Sequence, residues 1–185
     1  MTNEFEKDKP KEDITVEEVL NAPNDSEQEM TPGDFGGYNY IKTPSVGNSI
    51  ELTVKKIVKA KSRELENANT GKKFWTGLED KKGNRAETIL ETEDGSRYTI
   101  DSWTMYFNLF GKECDFQKLA NEKGSYAGIK IKITHNFNGK DSGTEPEDIM
   151  KLRDLPTIEA AKEHIATVAK AMKDGTLYTV EVLNK

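Results

Sequence analysis

A mostly β domain with helices, closing as a small five-stranded barrel behind an acidic N-terminal segment, is the fold class this sequence predicts. Three observations predict it. Apolar residues alternate in "SIELTVKKI" and "GIKIKITHNF", a hairpin signature stands in "EDGSRYTI", and two stretches between the strands switch to helical spacing.

Residues 1–36 come first. They are polar and acidic, carry Pro10, Pro23, Pro32 and the pair Gly36-Gly37 at their end, and have a composition that cannot bury enough surface to fold alone. A disordered tail is therefore expected over 1–36, with one short stretch, "ITVEEVLNA", at helical spacing and able to fold on a partner. The folded domain is expected over 37–185. "IELTVKKIVKAKS" places Ile50, Leu52 and Val54 on one face, and after Val54 the phase slips so that Ile57 is apolar. A β-bulge produces such a slip and bends the strand.

"TGKKFWTG" follows, with Phe74 and Trp75 behind Lys72 and Lys73, between Gly71 and Gly77. Flanking glycines point to a loop or hairpin tip that exposes aromatics, although consecutive strand residues face opposite ways, so one of the two could plug the barrel mouth while the other is exposed. "AETILETEDGSRYTIDSW" reads as two strands around the favoured turn Asp94-Gly95. In "SWTMYFNLF" Ser102 caps a helix on which Trp103, Phe107 and Phe110 recur, and Asp115 and Gly124 bound a second helix. Ile129, Ile131 and Ile133 then share a strand face, with Lys130 and Lys132 opposite. "NGKDSGTEPED" reads as a polar loop. A helix follows from the Thr157 cap to Gly175, and "TLYTVEVL" supplies the last strand.

Length and composition bound the rest. At 185 residues the chain holds one domain with a core, plus a tail. No apolar run approaches the roughly 20 residues that span a bilayer, and "MTNEFEKDKPKEDI" lacks a basic start and an apolar core, so a cytoplasmic protein without a membrane partner is expected. Cys114 alone cannot form an internal disulfide, and His135 and His164 have no zinc-site spacing, so neither metal nor cofactor is expected. No nucleophile and base combine into a recognisable triad, and no Gly-rich phosphate loop occurs, so catalysis is not expected.

The net charge of −6 argues against a polyanionic partner until its distribution is considered. Residues 1–34 hold 11 acids against 3 lysines, which leaves +2 for the remainder. From Lys55 to Arg85 ten basic residues face four acids.

Five strands with a helical segment between the third and fourth, and here an extra helix between the fourth and fifth, is the order of the OB-fold. That Greek-key barrel binds oligonucleotides across strands 2 and 3 and through neighbouring loops. On element order and on "SIELTVKKI", "FWTG", "EDGSRYTI" and "GIKIKITHNFNGK", residues 38–185 resemble the OB-fold single-stranded DNA-binding proteins, especially compact phage, viral and archaeal members. The helix of some sixteen residues before the last strand and the N-terminal position of the acidic tail depart from that family. Many members carry such a tail at the C-terminus to recruit replication partners; the resemblance implies that role for residues 1–36, which could also lie in the basic groove until DNA displaces them.

Single-stranded DNA is the expected ligand. Phe74 and Trp75 are the expected stacking residues, since any base offers a π face. Lys55, Lys56, Lys59, Lys61, Arg63, Lys72, Lys73 and Arg85 are the candidate phosphate contacts, and Arg97 is the outward candidate of the third strand, with Tyr98 in the core. Lys130 and Lys132 face outward on the fourth strand, and Phe137 with His135 lies near its end as a stacking pair or a barrel-end plug. Trp103, Tyr106, Phe107 and Phe110 read as core, and His164 as surface. A protein-interaction or assembly module on the same scaffold, and RNA as ligand, are the alternatives.

Overall fold

The computed structural model describes residues 26–27 and 38–185. The tail and the "ITVEEVLNA" helix lie outside the described residues, except that Ser26–Glu27 forms a short strand, β1. It runs parallel to β2 (Ser49–Lys61), pairing with Val58 and Lys59.

Strand β2 organises the sheet. Its first residues pair antiparallel with β8 (Lys130–His135), Leu52 opposite Ile131, and its later ones with β6 (Arg85–Thr92), Ile57 opposite Leu90. The register shifts between Val54 and Lys56, where the sequence slips phase, so the bulge lies at Lys55. An extra residue in one strand raises local twist and bends it. β7 (Arg97–Ile100) continues from β6 through the Asp94-Gly95 turn, and β9 (Tyr178–Val182) flanks β8. Together β7, β6, β2, β8 and β9 form a strongly curled antiparallel half-barrel, compatible with an OB-like barrel.

The segment between β2 and β6 has structure of its own. β3 (Glu64–Glu66) and β4 (Lys73–Trp75) form a separate two-stranded ribbon, and β5 (Leu78–Glu79) returns to the edge of β6. After β7 come α1 (Trp103–Phe110) and α2 (Asp115–Lys123). The Ser102 side chain accepts from the Met105 amide, as its capping role requires. The second cap is Cys114 rather than Asp115. Asp115 is instead the first helical residue, where a carboxylate favours the positive end of the helix, and it pairs with Lys185.

The core fills the concave side. Leu52, Ile57, Leu90, Tyr98 and Ile100 from one half meet Ile129, Ile131, Ile133 and Val182 from the other. Trp103, Tyr106, Leu109, Phe116 and Tyr126 close it from the helices, with Phe116 and Tyr126 stacked at 5.2 Å. Phe107 and Phe110 are half-buried against the same cluster. α1 packs on both β7 and β9, and the Asn108 amide donates to the carbonyls of Gly175 at 3.0 Å and Tyr178 at 2.7 Å.

Beyond β8 the expected polar loop is largely helical: a 3-10 turn at Gly139–Gly143, then α3 (Pro146–Leu152). Pro146 at the start of α3 has its φ preset for a helix and lacks only an amide that would have no partner there. α4 (Ile158–Asp174) runs from the Thr157 cap to Gly175. Buried Asp141 fastens this insert, accepting from Arg153 at 2.8 and 2.7 Å with His164 Nε2 at 2.7 Å. Burial opposes charge on Asp141, but the hydrogen bonds from Arg153 and His164 outweigh it and hold the carboxyl below its usual range. His164 is therefore a structural partner and not a plain surface residue. Among the described residues no helix is long and apolar enough to cross a membrane.

Gly77 sits at φ +78, where a Cβ would stand 2.2 Å from the Ala86 carbonyl oxygen. Backbone cannot yield there as a side-chain tip can. Gly77→Ala is expected to destabilise the fold by more than about 1 kcal/mol; an unchanged denaturant midpoint would contradict this close approach between β5 and β6.

Candidate nucleic-acid interface

The glycines around "KKFW" have separate tasks. Gly71, at φ +66, closes the tip of the β3–β4 ribbon, where the Asn67 side chain accepts from the amides of Asn69 at 2.9 Å and Thr70 at 3.2 Å. Gly77 ends the ribbon against β6. Between them the pairings Glu64–Trp75, Leu65–Phe74 and Glu66–Lys73 fix which side chains share a face. Successive residues on a strand point to opposite sides. Leu65 and Phe74 therefore make one face, and Trp75 lies on the other with Glu64 and Lys73, whose side chains are 3.3 Å apart. Neither aromatic enters the core: Phe74 is 47% and Trp75 49% exposed.

The ribbon is anchored at its root. The backbone amide of Thr76 donates to the Arg63 carbonyl at 2.9 Å, and the Arg63 amide donates to the Thr76 hydroxyl at the same distance. The Ser62 hydroxyl donates to the Thr76 carbonyl. The Arg63 guanidinium reaches the buried Glu87 carboxylate through Nε at 3.1 Å and Nη2 at 2.8 Å. Removing one member of such a buried pair typically costs about 3–5 kcal/mol, because the other charge is left behind.

At least five of the ten cations of Lys55–Arg85, Arg63 among them, are engaged with carboxylates. Lys55 and Lys56 lie 3.8 and 3.7 Å from Glu91, Lys73 pairs with Glu64, and Arg85 pairs with Glu79 at 2.8 Å. On β8, Lys130 pairs with Glu51 at 2.8 Å, and Lys132 is half-buried. Lys61 and Lys72 are exposed. Glu87 and Glu91, which neutralise much of the cluster, stand just beyond it in sequence and meet it only through the β2–β6 pairing.

Two expected contacts are inside the protein. Arg97, expected outward, is 1% exposed: its guanidinium bonds Glu91 through Nη2 at 2.9 Å and lies 3.5 Å from the centre of the Tyr38 ring. Lys59, expected on a phosphate track, is 2% exposed, because the bulge returns the strand's odd-numbered residues to the core side beside Ile57. Its ammonium donates to the Thr88 hydroxyl at 2.9 Å and stands over the rings of Tyr106 and Phe110 at 5.4 and 5.3 Å. Burial lowers its pKa to about 7.

Phe137 is half-buried against Val168, Ala171 and Leu177, which favours the plug over the stacking surface. His135 stacks on Tyr178 at 4.3 Å, and its ring nitrogens lie 2.9 Å from the Pro44 oxygen and 3.0 Å from the Phe137 oxygen. Sequence reasoning missed Tyr38 and Tyr40, which cover Arg97 and Arg63. It also missed Glu87 and Glu91. Ile89, buried between them on the same strand face, is the sequence sign that this outer face is covered.

Among the described residues no group of three or more His, Cys, Asp or Glu is arranged to hold a metal. No family model, curated protein or solved structure matches this chain.

The unfolded chain holds the Lys59 proton up to an ordinary pKa of 10.5, whereas the native state releases it near 7. Between those values the unfolded state binds more protons, so stability rises with pH. Lys59→Met is therefore expected to melt higher than the parent near pH 6.5, with the gap shrinking by pH 9. A gap independent of pH would place the titration of Lys59 outside this window.

Proposed function

We propose that this chain is a sequence-tolerant single-stranded DNA-binding protein of the OB-fold type, acting in replication, recombination or repair. In this assignment β2, β6, β7, β8 and β9 are the five barrel strands, α1 and α2 connect the third to the fourth, and α3 and α4 are an insertion before the fifth. The β3–β4 ribbon is then the loop between the first two strands. The observation that carries the reading is that ribbon: two half-exposed aromatics on a strand whose backbone is fixed at both ends, beside Lys72 and Lys73. Nothing in the core needs Phe74 or Trp75. A paired backbone sets where the two rings stand in solvent, and stacking is worth about 1–3 kcal/mol per base. Residues 1–36 dock replication partners in this reading.

The reading involves modest electrostatics. With Arg63, Arg85 and Arg97 held by glutamates in less exposed pairs, the principal phosphate contacts are Lys61, Lys72 and Lys73, the last exchanging its exposed Glu64 partner for phosphate. Three such contacts correspond to a slope of log K against log salt of about −2, far shallower than ten cations would give.

A protein-interaction module is the second reading, favoured by the exposed apolar pair Leu65–Phe74 on one face of the ribbon. Anisotropy of labelled dT, dA, dC and U oligonucleotides, titrated with the full chain across salt, separates the two. The DNA reading expects binding to all three DNAs, a slope near −2, and a loss of about 1–3 kcal/mol on each for Trp75→Ala. Absence of binding at low salt would favour the protein module, and preference for the U strand would make RNA the ligand.

A further inference from the structure

The outer face of β2, β6 and β7 bears a row of carboxylates along β6, Glu87 and Glu91, each holding an arginine from a neighbouring strand or its extension, Arg63 and Arg97. An outward sheet face with such groups would ordinarily meet water. Here residues 38–41 lie across its edge. The Arg97 amide donates to the Asn39 carbonyl at 2.9 Å, and the Ile41 amide donates to the Arg97 carbonyl at 2.8 Å. This strap puts the Tyr38 ring over the Arg97 guanidinium at 3.5 Å and the Tyr40 ring near that of Arg63 at 5.2 Å.

We propose that the Tyr38–Ile41 strap is a displaceable cover, its two rings occupying the places that two bases of a bound single strand take on the Arg97 and Arg63 guanidinium planes. The inference rests on the single-strand reading above and extends that site from the ribbon onto the sheet. Chemically the exchange is close to like for like: a planar π ring leaves a guanidinium face and a planar π base replaces it. The guanidinium is planar by delocalisation, and the glutamates orient each one while leaving Tyr38 and Tyr40 their places beside it. Position supports the exchange as well, because Arg63 immediately precedes the ribbon and Thr76 at its root follows Trp75. The root of the ribbon that carries Trp75 is thus also where Arg63 leaves β2.

The device differs from screening by an acidic tail, since ring stacking, two backbone bonds, the Asn39 amide donating to the Ser96 hydroxyl at 3.3 Å and Ile41 packed on the core hold it in place of net charge.

The test is amide hydrogen exchange on the full chain with and without a dT oligonucleotide, read at Ile41 and Arg97, together with oligonucleotide affinity for Tyr38→Ala/Tyr40→Ala and Tyr38→Phe/Tyr40→Phe. DNA is expected to speed exchange at both amides. The alanine pair is expected to bind roughly tenfold tighter, and the phenylalanine pair to bind as the parent does. If DNA binds while both amides stay protected, the strap is a fixed part of the fold and this inference fails, with the single-strand reading intact. If DNA does not bind at all, both fail. Should the alanine pair not fold, exchange in the parent chain decides alone.

Discussion

Strand β2 bonds to β8 through its first residues and to β6 through its last, and the register slip between Val54 and Lys56 is what lets it do both. A regular strand of 13 residues would hold its neighbours in one gently twisted plane. With the bend, Leu52 and Val54 on one side of the slip and Ile57 on the other face a single core, into which the isoleucines of β8 and the aromatics of α1 pack. The slip also decides the fate of the lysines beyond it. Lys59 follows Ile57 inward, and Lys56 is left outward beside Glu91.

That second effect gives the outer face its character. The paired strands bring Glu87 and Glu91 against arginines and lysines that a linear count records as a positive surplus. Buried pairs of this kind contribute little net stability, since desolvation offsets attraction, yet they punish any rearrangement that separates them. The face is consequently well defined in geometry and weak in long-range field. The ribbon is different in kind: it adds nothing to the core and offers apolar surface to solvent on both its sides.

Much of the fold was legible because it obeys simple periods. Alternation gave β2 and β8, Asp94-Gly95 gave the β6–β7 hairpin, and Ser102, Thr157 and Gly175 marked helix ends where they occur. The glycines around Phe74 and Trp75 marked a surface loop, but that both rings are exposed follows from the separate β3–β4 ribbon, which leaves neither face against the core. What escaped was set by partners distant in sequence. Lys59 and Arg97 look like surface residues until Thr88, Tyr106, Glu91 and Tyr38 are brought to them. α3 hid in a polar stretch because seven residues show too little periodicity, and His164 gained its role only from Asp141, across the insert.

The double allegiance of β2 also shapes how the chain reaches its native state. Its pairing with β6 joins segments close in sequence, but its pairing with β8 must wait until everything from Leu52 to Ile131 has been looped back. Closing a long loop costs entropy before any contact repays it, so topologies of this kind fold slowly. Until β8 arrives, the first half of β2 presents an unpaired edge with Ile50 and Leu52 uncovered. Glu51, set between those two residues and later paired with Lys130, puts a charge on that edge during the interval when a second chain could add to it.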